Sequence, residues 1–133
     1  MTAIKQYGPL VGRILLAAIF IWSGLGKIGG FSGTVGYIQS GGLPAAQLLA
    51  VLVIIVELGG GLMLILGWKA RWGAAALFVF SFLAAIFFHR YWSVPLDQAY
   101  MQQINFMKNL AMMGGLLYIV VYGSGPISLD KGA

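Results

Sequence analysis

The run from Pro44 to Gly67, PAAQLLAVLVIIVELGGGLMLILG, is apolar over a length that crosses a bilayer, yet it carries one acid, Glu57, near its middle. A carboxylate at the centre of a spanning helix costs about 3 kcal/mol on insertion scales, so it has to face other helices and find a cation or a proton. The glycines that follow, Gly59, Gly60 and Gly61, let a neighbouring backbone come close beside it. This segment is therefore the inner helix of a bundle.

The chain has 133 residues, 60% apolar and only 8% charged, which predicts one integral membrane domain over residues 1–133. Its net charge of +5 comes from basic residues scattered singly at the ends of apolar runs. With no cluster to track a phosphate backbone, nucleic acid is not an expected partner, and the bilayer is. There is no cysteine, so thiol relays, thiolate metal sites and iron–sulfur clusters ligated by this chain are excluded. A single histidine rules out bis-histidine haem, and no methionine spacing favours a His/Met pair; no metal, haem or cluster is expected.

Four spans are predicted, about 9–28, 44–67, 72–88 and 104–122, in an all-α, up-down-up-down membrane four-helix bundle. The first lacks a cleavage site of small residues and is expected to stay uncleaved. Between the first two, Phe31, Val35 and Ile38 recur at helical spacing in a stretch too polar and glycine-rich to span, which predicts a short amphipathic helix. The second and third spans are joined by the tight turn Trp68–Arg71, and the third ends in His89-Arg90-Tyr91-Trp92, an interfacial mixture of aromatic and basic residues. The polar stretch Ser93–Gln103 follows, broken by Pro95. Lys5, Arg13, Lys69, Arg71 and Lys131 fall on one side and Lys27, Arg90 and Lys108 on the other. The positive-inside rule then places both termini in the cytoplasm, and the expected location is the cell's inner (plasma) membrane.

Two polar groupings result. Arg13, Phe20 and Lys27 are spaced seven apart, with Ser23 four before Lys27, so they share a face of the first span. Counting residues from the membrane boundaries puts Arg13 about 9 Å along the axis from Glu57 and Lys108 about 12 Å away. The expected structural ion pair is Arg13–Glu57; the alternative role for Glu57 is as a carboxyl that carries a proton beneath a pocket. On the last span Asn105, Lys108, Asn109 and Met112 fall at i, i+3, i+4 and i+7, a polar face that has to point inward or to water. Asn105, Lys108 and Asn109, together with Lys27, His89 and Gln103, are the candidate ligand-binding residues at the outer end. Two ammonium groups, an imidazole and amide donors suit a small anion or the carbonyl oxygens of a quinone head group.

Several motifs combine over nearly the whole chain: Gly12-Arg13, Ser23-Gly24 with Lys27, Glu57-Leu58-Gly59-Gly60-Gly61, Phe88-His89, and Phe106 to Gly115 around Lys108-Asn109. In these the chain resembles the DoxX family of small four-helix membrane proteins. The resemblance implies four spans with both termini inside. It also implies a function related to that of family members that serve as membrane subunits of thiosulfate:quinone oxidoreductase or work with thiol and oxidative-stress systems. The expected function is the membrane subunit of a quinone-linked oxidoreductase, with quinone as the cofactor and electrons supplied by a redox partner protein. The alternative is a non-catalytic scaffold that docks a partner; a transporter would require a homo-oligomer to line a path.

Overall fold

A computed structural model describes residues 2–131; Met1, Gly132 and Ala133 of the expected domain lie outside the described residues. Within them the chain is all-helical: α1 (Ala3–Gly29), α2 (Phe31–Ser40), α3 (Ala46–Leu66), α4 (Ala70–Phe88), a single 3₁₀ turn (Tyr91–Ser93) and α5 (Leu96–Tyr122). The helices α1, α3, α4 and α5 are long and apolar enough to cross a membrane. Even α3, with 21 residues, reaches about 32 Å, enough for the ~30 Å hydrocarbon layer. Leu15, Ile55, Leu62, Val79 and Leu117 turn outward along these helices, as lipid requires.

Two helices begin earlier than the hydropathy pattern predicts. The Thr2 hydroxyl accepts from the Lys5 N–H and starts α1 six residues before Pro9, while Pro95 stands at the N-cap of α5 and the polar Asp97–Gln103 segment is helical. A helix that projects beyond the bilayer keeps its backbone bonds without needing apolar side chains, so hydropathy marks the span and not the helix. The short amphipathic helix is α2: Ile38 is buried against Ala46 and Ala50 of α3, and Phe31 and Val35 pack beside it.

Neighbours in sequence pack in order, α1 on α3, α3 on α4 and α4 on α5, whereas the backbones of α1 and α5 stand further apart and Leu16 reaches across to Gly115. Small residues set the close approaches. A side-chain carbon at Gly60 would sit 2.7 Å from Leu77 Cγ of α4, and one at Gly61 would sit 2.6 Å from Ile21 Cδ1 of α1. Gly59 has open space instead, so two of the three adjacent glycines serve the contact. Ala17, Phe20, Leu64, Ala74, Leu77 and Leu116 form the core these approaches close over.

The end of the bundle holding both termini, here the terminal end, is closed by the chain after α5. Gly67, with φ 65°, ends α3 in a Schellman-type turn in which Trp68 N–H donates to Met63 O at 3.0 Å. A side chain at Gly67 would run into Ser128 and Arg13, because the tail packs directly on this turn. Leu129 N–H donates to Leu66 O (3.1 Å) and Asp130 N–H to Gly67 O (2.8 Å).

Helix α4 has no side-chain cap of its own; the Asp130 carboxylate takes that role from the tail, accepting from the N–H groups of Lys69 (2.7 Å) and Ala70 (3.0 Å). Partial burial pushes the Asp130 carboxyl up, but the bonds from Ala70, Lys69 and Ser124 and the charge of Arg13 outweigh it and hold the group below its ordinary value of 3.8. A carboxyl with a depressed folded pKa stabilises above its unfolded pKa and loses that contribution as pH falls through the folded value. Asp130→Ala is therefore expected to cost about 1 kcal/mol at neutral pH. The gap between variant and parent in denaturant unfolding should close once the pH drops below the ordinary carboxylate range.

Candidate functional site

At the opposite end, here the α2 end, the helices diverge around a cavity of about 630 Å³. Its wall is mostly hydrocarbon and aromatic, with Phe20 from α1, Val53 from α3 and Phe80, Phe87 and Phe88 from α4. Helix α2 covers it, placing Thr34, Tyr37 and Ile38 on the wall, and Tyr37 stacks on Phe88 with ring centroids 4.9 Å apart. Partial burial pushes the Tyr37 phenol above its usual value, so it remains an O–H donor at the rim. Against this background stand the polar groups Ser23, Lys27, Glu57, His89, Asn105, Lys108 and Asn109.

Glu57, 2% exposed, pairs with Lys27, whose Nζ lies 2.7 Å from Oε1 and donates a second bond to Ser23 Oγ at 2.6 Å. This corrects the expected pairing of Arg13 with Glu57. Depth counted from a common boundary misplaces the acid, because the first turns of α3, together with α2, extend past the end of α1. Gly24 shows the true register: a carbon added there would lie 2.8 Å from Leu58 Cδ2 and 3.4 Å from Glu57 Cβ. Lys27 is then one turn from the level of Glu57, while Arg13 is three turns away in the other direction.

Arg13 is instead held at the terminal end. Its guanidinium donates to Leu64 O (2.9 Å), Ile65 O (3.3 Å) and Ile127 O, joining the end of α3 to the tail. Carbonyls in the last turn of a helix lack the usual intrahelical donors and sit at the negative end of the dipole, so a planar guanidinium is well matched to them.

The other candidates divide. Asn105 and Lys108 line the cavity, with Lys108 exposed at its edge. Asn109 is buried and also lines it, but its Nδ2 donates to Ser81 O at 3.0 Å, fastening α5 to α4. His89, at the C-cap of α4, brings Nδ1 to 2.9 Å from Gln102 Oε1. An amide oxygen only accepts, so Nδ1 carries the hydrogen in this contact and Nε2 of a neutral ring is an acceptor.

Gln103 is exposed and off the wall, and Gln102, also off the wall, is the glutamine that meets His89. The reason is rotational: Gln102, Asn105, Asn109 and Met112 fall at i, i+3, i+7 and i+10 on one face, and Gln103 is turned about 100° from it. Extending the polar face of α5 back by one turn would have found Gln102. Nothing in the sequence pointed to Tyr37, whose place depends on how α2 folds back.

The cavity thus holds one neutralised pair, Lys27–Glu57, one further ammonium at the edge, Lys108, and an imidazole fixed in orientation. The chemistry of this lining matches a flat, largely apolar molecule with one or two oxygen acceptors, to which Lys108 and Asn105 are the available donors.

Comparison with known proteins bears on this architecture. The DoxX family model matches residues 8–90. The chain is 37% identical over 98% of its length to the inner membrane protein YqjF of Escherichia coli, of which it covers 95%. It is likewise 37% identical over 92% of its length to the inner membrane protein YphA of the same organism, covering 87%. A Surfeit locus protein 4 homolog of Schizosaccharomyces pombe is 30% identical over 96% of this chain, which spans 38% of that protein. No solved structure is a significant match. With the family model spanning more than half the chain and relatives alike over nearly all of it, this protein is a member of the DoxX family of membrane proteins.

Proposed function

We propose that the chain is the quinone-binding membrane component of an oxidoreductase system, seated in the inner membrane with both termini cytoplasmic. The observation that supports it is the coexistence, in one cavity of about 630 Å³, of flat aromatic walls with Lys108, Asn105 and His89. These residues fit a quinone ring: Phe88 and Tyr37 offer flat faces, Lys108 and Asn105 donate to a carbonyl oxygen, and His89 Nε2 accepts from a hydroxyl of the reduced form. A bound quinone supplies two-electron chemistry, and a chain without cysteine leaves delivery of the electrons to a partner protein. Lys27 and Glu57 hold a charge-neutral floor at the base of the ring site and keep α1 against α3. The inner-membrane placement follows from the two Escherichia coli relatives, and the orientation from the basic-residue count.

The test is binding of a tail-less benzoquinone to the purified protein. Lys108→Ala is expected to weaken it about tenfold, the loss of one charge-assisted bond. Asp97→Asn, in the first turn of α5, should leave it unchanged. Equal affinity in the parent and Lys108→Ala proteins would overturn the reading.

A scaffold role is favoured by one observation: Asn109 and Lys27 already spend hydrogen bonds on holding helices together. Stable co-purification of a partner by a protein that binds no quinone would establish it.

A further inference from the structure

A second hollow, also about 630 Å³, lies at the terminal end, with Gly12, Arg13 and Leu15 of α1, Tyr118 and Tyr122 of α5 and Ser124 of the tail in its wall. It is separate from the cavity at the α2 end. Between the two, Leu16 packs against Gly115, where an added carbon would lie 3.4 Å from Leu16 Cδ2. The hollow straddles the level at which the apolar runs of α1 and α5 end, near Pro9 and Tyr122, which is the boundary between hydrocarbon and head groups. Leu15 and Tyr118 stand exposed at its edges, so it opens sideways to lipid.

One polar group in this wall is left unmet. Arg13, 2% exposed, spends Nη1 on the carbonyls of Leu64 and Ile65 and Nη2 on that of Ile127, but its Nε–H is buried with no acceptor among the described residues. An unmet buried donor is costly, the more so on a charged group, so an oxygen brought to this wall is favoured whether it bonds directly or through one water. Lys5 shares the face: it lies four residues before Pro9 and seven before Gly12, exposed and about 10 Å beyond Gly12 along the axis. Tyr118 and Tyr122 stack with ring centroids 6.0 Å apart and are both exposed, as amphipathic rings at a membrane boundary are.

Charge selects the sign of what sits there. The terminal end carries five basic side chains, Lys5, Arg13, Lys69, Arg71 and Lys131, against one acid, Asp130, a net +4; the rest of the chain has Lys27, Arg90 and Lys108 against Glu57 and Asp97, a net +1. Asp130 is already spent on the N–H groups of Lys69 and Ala70, so no carboxylate among the described residues of this end is left to receive the ammonium of a zwitterionic head group. We infer that this hollow is a site for the head group of an anionic phospholipid, with the phosphate between the levels of Lys5 and Arg13 and the glycerol over Gly12. The site is independent of the ring site and of its ligand.

The experiment titrates delipidated full-length protein in detergent with phosphatidylglycerol and with phosphatidylethanolamine of the same acyl chains, and native mass spectrometry follows the first lipid bound. The parent is expected to prefer phosphatidylglycerol at least tenfold. Lys5→Gln should weaken phosphatidylglycerol binding about fivefold, what one basic residue beside an anionic head group is worth. Gly12→Leu puts a side chain into open space, where nothing lies within 4 Å to disturb the fold, and should cut the preference to about twofold or less. Two variants should keep the parent's preference: Lys69→Gln, which removes the same charge from the α3–α4 turn, where Nζ lies 5.0 Å from the Trp68 ring, and Gly114→Leu, at an open position outside the hollow.

A parent that binds the two lipids alike would overturn the site. So would equal losses in Lys69→Gln and Lys5→Gln with Gly12→Leu like the parent, since the effect would then belong to the charge of the whole face. Displacement of the lipid by inorganic phosphate at equal concentration would make the hollow a site for a soluble anion and overturn the lipid as its occupant. If Gly12→Leu changes only the oligomeric state, the hollow is a contact between copies and the inference falls.

Discussion

Lys27→Met is expected to lower stability by about 2–3 kcal/mol, the low side of the ~3–5 kcal/mol for breaking a buried ion pair. The mutation leaves Glu57, 2% exposed, without its cation in the interior of a membrane bundle. The discount reflects Lys27 itself, whose side chain keeps 28% of its exposure and is partly solvated at the cavity. The same asymmetry makes Glu57→Gln cheaper, about 1 kcal/mol, because the ammonium left behind keeps Ser23 and an outlet to the cavity. Removing both charges should recover most of the loss, since a pair replaced as a unit strands no charge. A double-mutant cycle by SDS titration in mixed micelles measures all three. Coupling below about 0.5 kcal/mol would mean the pair does not hold α1 to α3.

The second large effect belongs to Arg13. Arg13→Met should cost about 3 kcal/mol, because it removes charge-assisted bonds to the carbonyls of Leu64, Ile65 and Ile127 at once and leaves buried acceptors unmet. The damage should be local as well as global, since Ile127 belongs to the tail that caps α4 through Asp130. Limited proteolysis is then expected to cut between Gly123 and Lys131 in the variant and spare the parent. Arg13→Lys should recover less than half of the loss, because one ammonium cannot span carbonyls that a planar fork reaches together. A stable Arg13→Met protein with a protected tail would show that the tail is held without it.

The two predictions separate charges that look alike in sequence. Arg13 and Lys27 sit on the same face of α1, one near each end of its apolar span, and Glu57 is an acid within reach of either by residue counting. Choosing between them took the relative depth of α1 and α3, which depends on α2 and on the close approach at Gly24. Likewise the polar face of α5 was legible from its spacing, but its exact edge was not: a one-residue error turned attention to Gln103 where Gln102 meets His89. The cap that Asp130 lends to α4 joins residues 60 apart and leaves no local pattern.

What the sequence alone determined is the class of solvent and the number of crossings. Runs of apolar residues have one favourable environment, and a spanning backbone in lipid has to be helical, so hydropathy and turn residues are enough for four spans and a surface helix. It also determined that Glu57 points inward and that the polar face of α5 points inward or to water, because lipid penalises the opposite choice by several kcal/mol. Only the tertiary structure decided who meets whom: Lys27 with Glu57, Arg13 with three carbonyls, and Leu16 with Gly115 where α1 faces α5. Those outcomes turn on helix register and tilt, set by the sum of many small packing contacts, and a spacing pattern along one helix carries no record of its neighbour's depth.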